Sequence, residues 1–511
     1  MSRIRVAELF AGVGGFRLGL EGVPSKEWET DTLKFEDTGF RVIWSNQWEP
    51  GSTRQWASRV YTKRFGKEGH EGVDLHEFTK TIEKTHQIPE IDLLVGGFPC
   101  QDYSVARTKS GELGIEGEKG KLWEPIWRII SRSHANQTQY RPKVVLLENV
   151  PRLLNSPARA RGLNFSLILR RLLGMGYEVE WRIINADDYG FPQQRSRIFI
   201  MAYRTKGWSA GQTKLNGPGH FGLEGRGAKR INPMLRWVFG DYSGSTREDW
   251  EVGPFAHAFP ADFEVVKEKS EIPKIDDFSH IKSPFGSAGY AWKGKFRRKG
   301  EVKYRTAKLF RSWKVIPIKE KPVTISDIMI QIGQENYDVS YEVDESKLHT
   351  WQYEKGSKRE FRIRKIDLEK YPELAEIYKI CKKSKSQRVW DEYRPKFEEI
   401  LGTDGSYNYD EGTIAFPDSI GKPSRTVVTA EIGRSASRMR HIIRHDEGTY
   451  RTLFPIETER LNMFPDNWTK IESIPNSKRG FMMGNALVIG IIKRLSQPLK
   501  KLILKKSSNL E

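Results

Sequence analysis

The sequence predicts an α/β protein: a doubly wound, Rossmann-like sheet combined with a large, irregular, mostly β second domain. Three observations predict it. Up to residue 204, short apolar runs alternate with polar, helix-compatible stretches. From about 205 to 445 that alternation stops, and aromatic and basic residues mix with Gly and Pro. Periodic text then returns from Tyr450 to the end of the chain.

The apolar runs at 4–10, 41–44, 91–95, 144–147 and 197–202 are each closed by Gly, Pro or Asn within a few residues, as buried parallel strands joined by helices require. Because the first run begins almost at Met1, a helix cannot precede it. The amphipathic stretch 481–495, ending before Pro498, is therefore expected to return and complete that layer of the sheet. The chain thus divides into 1–204, 205–445 and 446–511, with the first and last parts forming one discontinuous domain. Within the middle part, 292–314 carries ten Lys or Arg against one Glu, interleaved with Trp292, Phe296, Tyr304, Phe310 and Trp313. That reads as a basic face of the second domain.

A chain of 511 residues with net charge +19 and a sequence pI of about 9.6 favours a polyanionic partner, since each neutralised phosphate releases counterions. The alternative is a generally basic soluble protein. Two cysteines, Cys100 and Cys381, are too few for a disulfide framework or a four-thiolate metal site. No apolar run approaches the roughly 20 residues of a membrane span, and no signal pattern opens the chain. A soluble, intracellular protein in a reducing compartment is expected.

Chemistry gathers at the ends of the runs, where ligands of open α/β sheets bind. After the first lies Phe10-Ala11-Gly12-Val13-Gly14-Gly15-Phe16, whose glycines allow a tight turn and close approach of a ligand. Arg17 replaces the last glycine of GxGxxG, so a dinucleotide fingerprint is poorly matched. The second run ends in Ser45-Asn46-Gln47-Trp48-Glu49. Trp48 there either packs in the core or stacks on an adenine. The third leads into Gly96-Gly97-Phe98-Pro99-Cys100-Gln101, which puts a thiol on a crevice loop. A lone cysteine can also be inert packing. The fourth delivers Glu148-Asn149-Val150, a carboxylate suited to general-acid or hydrogen-bonding work. Arg195 and Arg197, two apart in an extended segment, point the same way, either gripping an anionic or carbonyl-rich group or lying solvated at a strand edge.

Together these residues resemble the C5-cytosine DNA methyltransferase family in wording and order. Phe10-Ala11-Gly12-x-Gly14-Gly15 is similar to its first motif, Phe98-Pro99-Cys100-Gln101 to its catalytic loop, and Glu148-Asn149-Val150 to its active-site acid. Gln193-Gln194-Arg195-Ser196-Arg197 resembles the eighth motif. Arg451-Thr452-Leu453-Phe454-Pro455 through Phe464-Pro465-Asp466 resembles the ninth, and Gly484-Asn485-Ala486-Leu487-Val488 the last. Ser424-Arg425-Thr426-Val427-Val428-Thr429 is similar to the stretch that ends the family's target-recognition region.

The resemblance implies a catalytic, cofactor-binding domain (1–204, completed by 446–511) and a target-recognition domain (205–445). It implies Cys100 as nucleophile, Glu148 as the acid, and Arg195 and Arg197 as their companions. S-adenosyl-L-methionine is the implied cofactor, contacted by Phe10, Gly12, Gly14, Gly15, Gln47, Trp48, Asp74, Leu75, Pro99, Leu122 and Asn485. Double-stranded DNA is the implied partner and a monomer the default. A bacterial cytoplasmic setting, a cognate restriction or defence protein, and a role in restriction-modification or phage defence come from the same family. Two departures stand out: Gln47 occupies a position usually acidic, and Ala486 one often Ser. A transfer-RNA cytosine-5 methyltransferase and a silent DNA-binding module are the rival readings. The long basic middle region argues against the first, and the intact Cys100, Glu148 and Arg197 against the second.

Overall fold

A computed structural model describes residues 3–22, 38–81, 85–98, 123–131, 141–158, 160–204, 253–274, 277, 283–296, 304–356, 358–363, 365–405, 407–445 and 448–504. The chain forms two compact units. The first comprises Met1–Pro322, Asn462–Glu472 and Ala486–Glu511, and the second Val323–Leu461 and Ser473–Asn485.

The first unit is organised by β1 (Ile4–Leu9), α1 (Gly15–Glu21), β2 (Phe40–Asn46), α2 (Trp56–Phe65), β3 (His70–Glu71), α3 (Leu75–Phe78), β4 (Leu93–Gly97), α4 (Trp123–Ser131), β5 (Val144–Asn149), α5 (Leu163–Gly174), β6 (Tyr177–Asn185), β7 (Ser196–Arg204), β8 (Ala261–Glu271), β9 (Ala288–Phe296) and β10 (Arg305–Pro317). Among the described residues the strands make one sheet in the order β3-β2-β1-β4-β5-β7-β6-β9-β10-β8. β1 to β5 run parallel. Strand order reverses between β1 and β4, so the crevice beyond their carboxyl ends is the natural ligand site.

The tail expectation meets a longer helix than the pattern suggested. Helix Ile489–Leu504 runs through Pro498, which caps neither end. Its Ile491, Ile492, Leu495, Leu499 and Leu502 share a core with Ile4, Val6, Phe16, Leu20 and Phe40. Gly19 of α1 lets the two helices touch: a methyl there would sit 2.5 Å from Ile492 Cβ. The opposite face of the sheet is closed by α4 and α5 through Ile126, Ile129, Phe165, Ile168 and Leu172.

Several expectations are corrected. The run 197–202 lies in β7, which is antiparallel to both β5 and β6. β6 escapes periodicity because Glu178, Glu180 and Arg182 alternate with apolar residues and yet are buried. Each of the three has a partner inside: Tyr203 donates to Glu180 (2.5 Å), Tyr290 to Glu178, and Arg182 to Phe255 O (3.0 Å). Burial lifts the Glu180 carboxyl to about 7. The basic stretch 292–314 is not a face of a separate domain, because its described residues, Tyr304 apart, belong to β9 and β10, which extend this sheet from the edge of β6. Phe310 and Trp313 are both buried, Phe310 in the core beneath α4 and α5. Arg305 pairs with Glu271 (2.6 Å) and Lys314 with Glu264 (3.1 Å), while Lys308 donates to Arg170 O (2.9 Å).

The second unit holds more helix than its Gly- and Pro-rich text suggested. Helices Leu348–Lys355, Pro372–Ser384 and Gln387–Gly405 accompany short hairpins such as Ile442–Arg444 with Tyr450–Thr452. Leu374, Cys381, Trp390 and Phe397 form a small core of their own. Arg451 and Glu457, both fully buried, pair at 2.6 Å, and Glu457 also accepts from the Ile330 and Phe454 amides. A buried pair needs such further hydrogen bonds to offset desolvation.

Candidate active site

The turn after β1 is built on positive φ angles: Phe10 (51°), Gly12 (56°) and Gly14 (90°). Their environments differ. A methyl at Gly14 would lie 2.2 Å from Phe65 Cε2 and one at Gly15 would lie 3.1 Å from Leu487 Cγ. One at Gly12 would meet nothing within 4 Å. The turn is therefore packed from behind and open at Gly12, a shape that accommodates a ligand. Behind it, Trp468 Nε1 donates to Val13 O (2.8 Å), and Arg64 holds the carbonyls of Asn467 and Trp468 (2.8 and 2.7 Å). Trp468 did not emerge from the sequence reading, although it lies two residues past Phe464-Pro465-Asp466.

A buried network supports the same turn. Tyr61 donates to Glu8 Oε2 (3.0 Å), the Arg17 amide approaches Glu8 Oε1 (3.3 Å), and the Arg17 guanidinium pairs with Glu21 (2.8 Å). Burial pushes the Glu8 carboxyl up to about 8, although Tyr61 and Arg17 pull the other way. His70 bridges the hydroxyls of Ser45 (2.9 Å) and Ser58 (2.8 Å), and burial lowers it to about 4, so the ring is neutral at pH 7.

At the end of β2, Gln47 Oε1 accepts from the Gly12 amide at 2.7 Å. Trp48 is 36% exposed, so it is not enclosed in the core. Asp74 caps α3 by accepting from the His76 amide (2.7 Å), whereas Leu75 is buried in the core. Asn485 ends helix Asn476–Asn485 in the second unit. The preceding Gly484 is required there, since a methyl would lie 2.3 Å from Thr429 N. Pro99, Cys100 and Leu122 lie outside the described residues.

On the other side of the switch point, Glu148 sits at the end of β5 opposite Gly97 of β4. A methyl at Gly97 would lie 3.0 Å from Glu148 Oε2, so the glycine leaves room for the carboxylate. Arg197 Nε pairs with Glu148 Oε1 at 2.8 Å, with the two side chains 16% and 13% exposed. Arg195 is 1% exposed and reaches Gln193 Oε1 at 3.5 Å, so neither arginine is a solvated strand-edge residue. Burial raises the Glu148 carboxyl above the ordinary range, while the charges of Arg197 and Arg195 oppose the rise.

Asn149, quoted in the sequence only as a neighbour of Glu148, ties this cluster to the loop that follows β4. Its Nδ2 donates to Phe98 O (3.1 Å) and its Oδ1 accepts from the Val150 amide (2.8 Å). Phe98 immediately precedes Pro99 and Cys100. The structure thus brings Glu148, Arg195, Arg197 and the start of the cysteine loop together, and separately gathers Phe10, Gly12, Gly14, Gly15, Gln47 and Trp48. A buried carboxyl locked to a guanidinium can hold or donate a proton at a defined point.

A family model described as C-5 cytosine-specific DNA methylase matches residues 4–217 and 296–501. Over 503 residues the chain is 34% identical to the type II methyltransferase M.Sau3AI of Staphylococcus aureus, covering 98% of this chain and 97% of that protein. It is 32% identical over 204 residues to M.HhaI of Haemophilus parahaemolyticus, covering 40% of this chain and 50% of that one. It is 35% identical over 205 residues to M1.ScrFI of Lactococcus lactis subsp. cremoris, covering 40% and 43%.

Proposed function

The chain belongs to the C-5 cytosine-specific DNA methylase family and is a DNA (cytosine-5) methyltransferase of the restriction-modification type, and from that premise we propose how its residues divide the work. The substrate is double-stranded DNA, from which the target cytosine is rotated into the crevice at a cost of a few kcal/mol. S-adenosyl-L-methionine, when bound in front of the open Gly12 turn and beside Trp48, supplies an electrophilic methyl group to a carbon made nucleophilic. Cys100 makes that carbon nucleophilic by forming a bond from its thiolate sulfur to C6 of the ring. Glu148, in its protonated form, donates its proton to N3 and so offsets the negative charge that the addition pushes onto the ring. Arg197 holds Glu148 in place, and Arg195 adds a second positive charge. Removal of the C5 proton then breaks the sulfur–carbon bond and frees the thiolate.

The observation that supports this reading best is the Glu148–Arg197 pair at 2.8 Å, joined through Asn149 to the carbonyl of Phe98. A protein of this kind acts in a bacterial cytoplasm, alongside a cognate nuclease or in phage defence. The test is to incubate the protein with unmodified bacterial DNA and methyl-labelled S-adenosyl-L-methionine, with Cys100→Ser as control. Label at C5 of cytosine with the wild type, and none with the serine variant, is the expected result. Equal transfer by both proteins rules Cys100 out.

A further inference from the structure

Gln47 extends the parallel pairing of β1 with β2 past the point where main chain alone can carry it. The register sets Glu8 opposite Ser45, and Ala11 N donates to Asn46 O at 2.9 Å. The next amide of the turn, Gly12 N, finds the side-chain oxygen of Gln47 at 2.7 Å, while the Gln47 main-chain amide is held by Glu71 O at 3.2 Å. Two successive amides of the turn are thus held by the last residue of β2 and the residue after it, the second through its side chain. Gly12 has a positive φ and open space before it, so no packing from in front fixes its direction.

The chemistry of the amide sharpens the point. A carboxylate here could accept from Gly12 with one oxygen and from a sugar hydroxyl with the other. An amide has a single acceptor oxygen, whose two lone pairs sit on one atom already drawn to the Gly12 amide at 2.7 Å, and its nitrogen can only donate. We infer that Gln47 is a positioning residue, one that fixes the glycine turn by accepting from the Gly12 amide and does not accept from a cofactor hydroxyl. The inference rests on the S-adenosyl-L-methionine reading above, and it explains how the turn is held where the family usually has an acid.

The experiment uses the full chain with Gln47→Met, which keeps the length and removes the acceptor, and Gln47→Glu, which keeps an acceptor. In ligand-free protein, amide hydrogen exchange over residues 10–16 should speed up about five-fold in the methionine variant, the scale of one lost hydrogen bond, and stay slow in the glutamate variant. Affinity for S-adenosylhomocysteine, measured by calorimetry, should fall by a similar factor in Gln47→Met. Removing the ribose hydroxyls, with the 2′,3′-dideoxy analogue, should weaken binding by the same factor in wild type and Gln47→Met. Unchanged exchange in Gln47→Met overturns the inference, as does a hydroxyl effect present in wild type and absent from that variant. If wild-type protein binds no S-adenosylhomocysteine, the cofactor reading fails, and the exchange measurement still decides the role of Gln47.

Discussion

The two sides of the switch point between β1 and β4 are held by different chemistry. On the β1 side the groups that touch the glycine turn itself are neutral, namely an amide oxygen on Gly12, an indole N–H on Val13 O and a ring edge behind Gly14, and the Arg17–Glu21 pair stands behind them. On the β5 side a carboxylate and a guanidinium face each other at 2.8 Å, with a second arginine close enough to act on the carboxylate. Neutral contacts fix shape without setting up a field, which suits a surface that must fit a ligand. Charged groups held out of water act strongly on charge that develops beside them. The comparison predicts that loss of the Glu148 carboxylate on the β5 side acts on the chemical step and loss of its arginine partner on the fold as well, while substitutions on the β1 side act on ligand affinity and folding.

The largest expected effect tests the charged side directly. Glu148→Gln should lower kcat on the order of 10²–10⁴-fold with cofactor affinity nearly unchanged, as read from single-turnover methyl transfer and calorimetry. A comparable fall in affinity would break the division between the two sides. Next, Arg197→Met leaves a buried carboxylate without its partner and should destabilise the fold by about 3 kcal/mol in urea titration at pH 8. The double variant with Glu148→Gln should recover most of that loss, and failure to recover would mean that Arg197 matters through packing alone.

On the neutral side, Gly14→Ala combines a φ of 90° with a methyl 2.2 Å from Phe65, and should cost about 1–3 kcal/mol of stability and weaken cofactor binding. Any loss confined to kcat would contradict the assignment. The last prediction concerns Glu8. Its folded value of about 8 stands above that of an unfolded carboxylate, so the folded state holds an extra proton between roughly pH 4.5 and 8. The stability it contributes is complete below that window and is lost as pH rises through it. Glu8→Gln should therefore melt progressively higher relative to wild type from pH 5 to pH 9, and a constant difference would mean that Glu8 is already ionised in the fold.

Strand ends and their chemistry were legible because each apolar run was short, continuous and closed by glycine or a polar residue. Hence β1, β2, β4 and β5 lie where periodicity put them. β6 was not legible, because buried Glu178, Glu180 and Arg182 imitate a solvent face, and their partners are tyrosines of two other strands for the acids and the Phe255 carbonyl for the arginine. The basic text of β9 and β10 misled for a related reason: its cations are partly matched by Glu271 and Glu264, residues remote in sequence. At the site, Glu148 and Arg197 were recognisable as residue types, but their partnership depends on β5 lying beside β7. Gln47 was noticed as a departure, yet its partner is a main-chain amide, which no residue identity can announce.

Helix Ile489–Leu504 has a consequence for how the protein is made. It covers the apolar face of α1 and the first strands, yet it leaves the ribosome after every residue of the second unit. At about 5–20 residues per second, Ile4, Val6, Phe16 and Leu20 wait on the order of tens of seconds for the helix that shields them. During that interval the nascent sheet is one layer short, and a polypeptide halted before Ile489 keeps that surface exposed. Completion of the glycine turn's support is thus tied to completion of synthesis, so a truncated product should fail to fold rather than bind cofactor without acting on DNA.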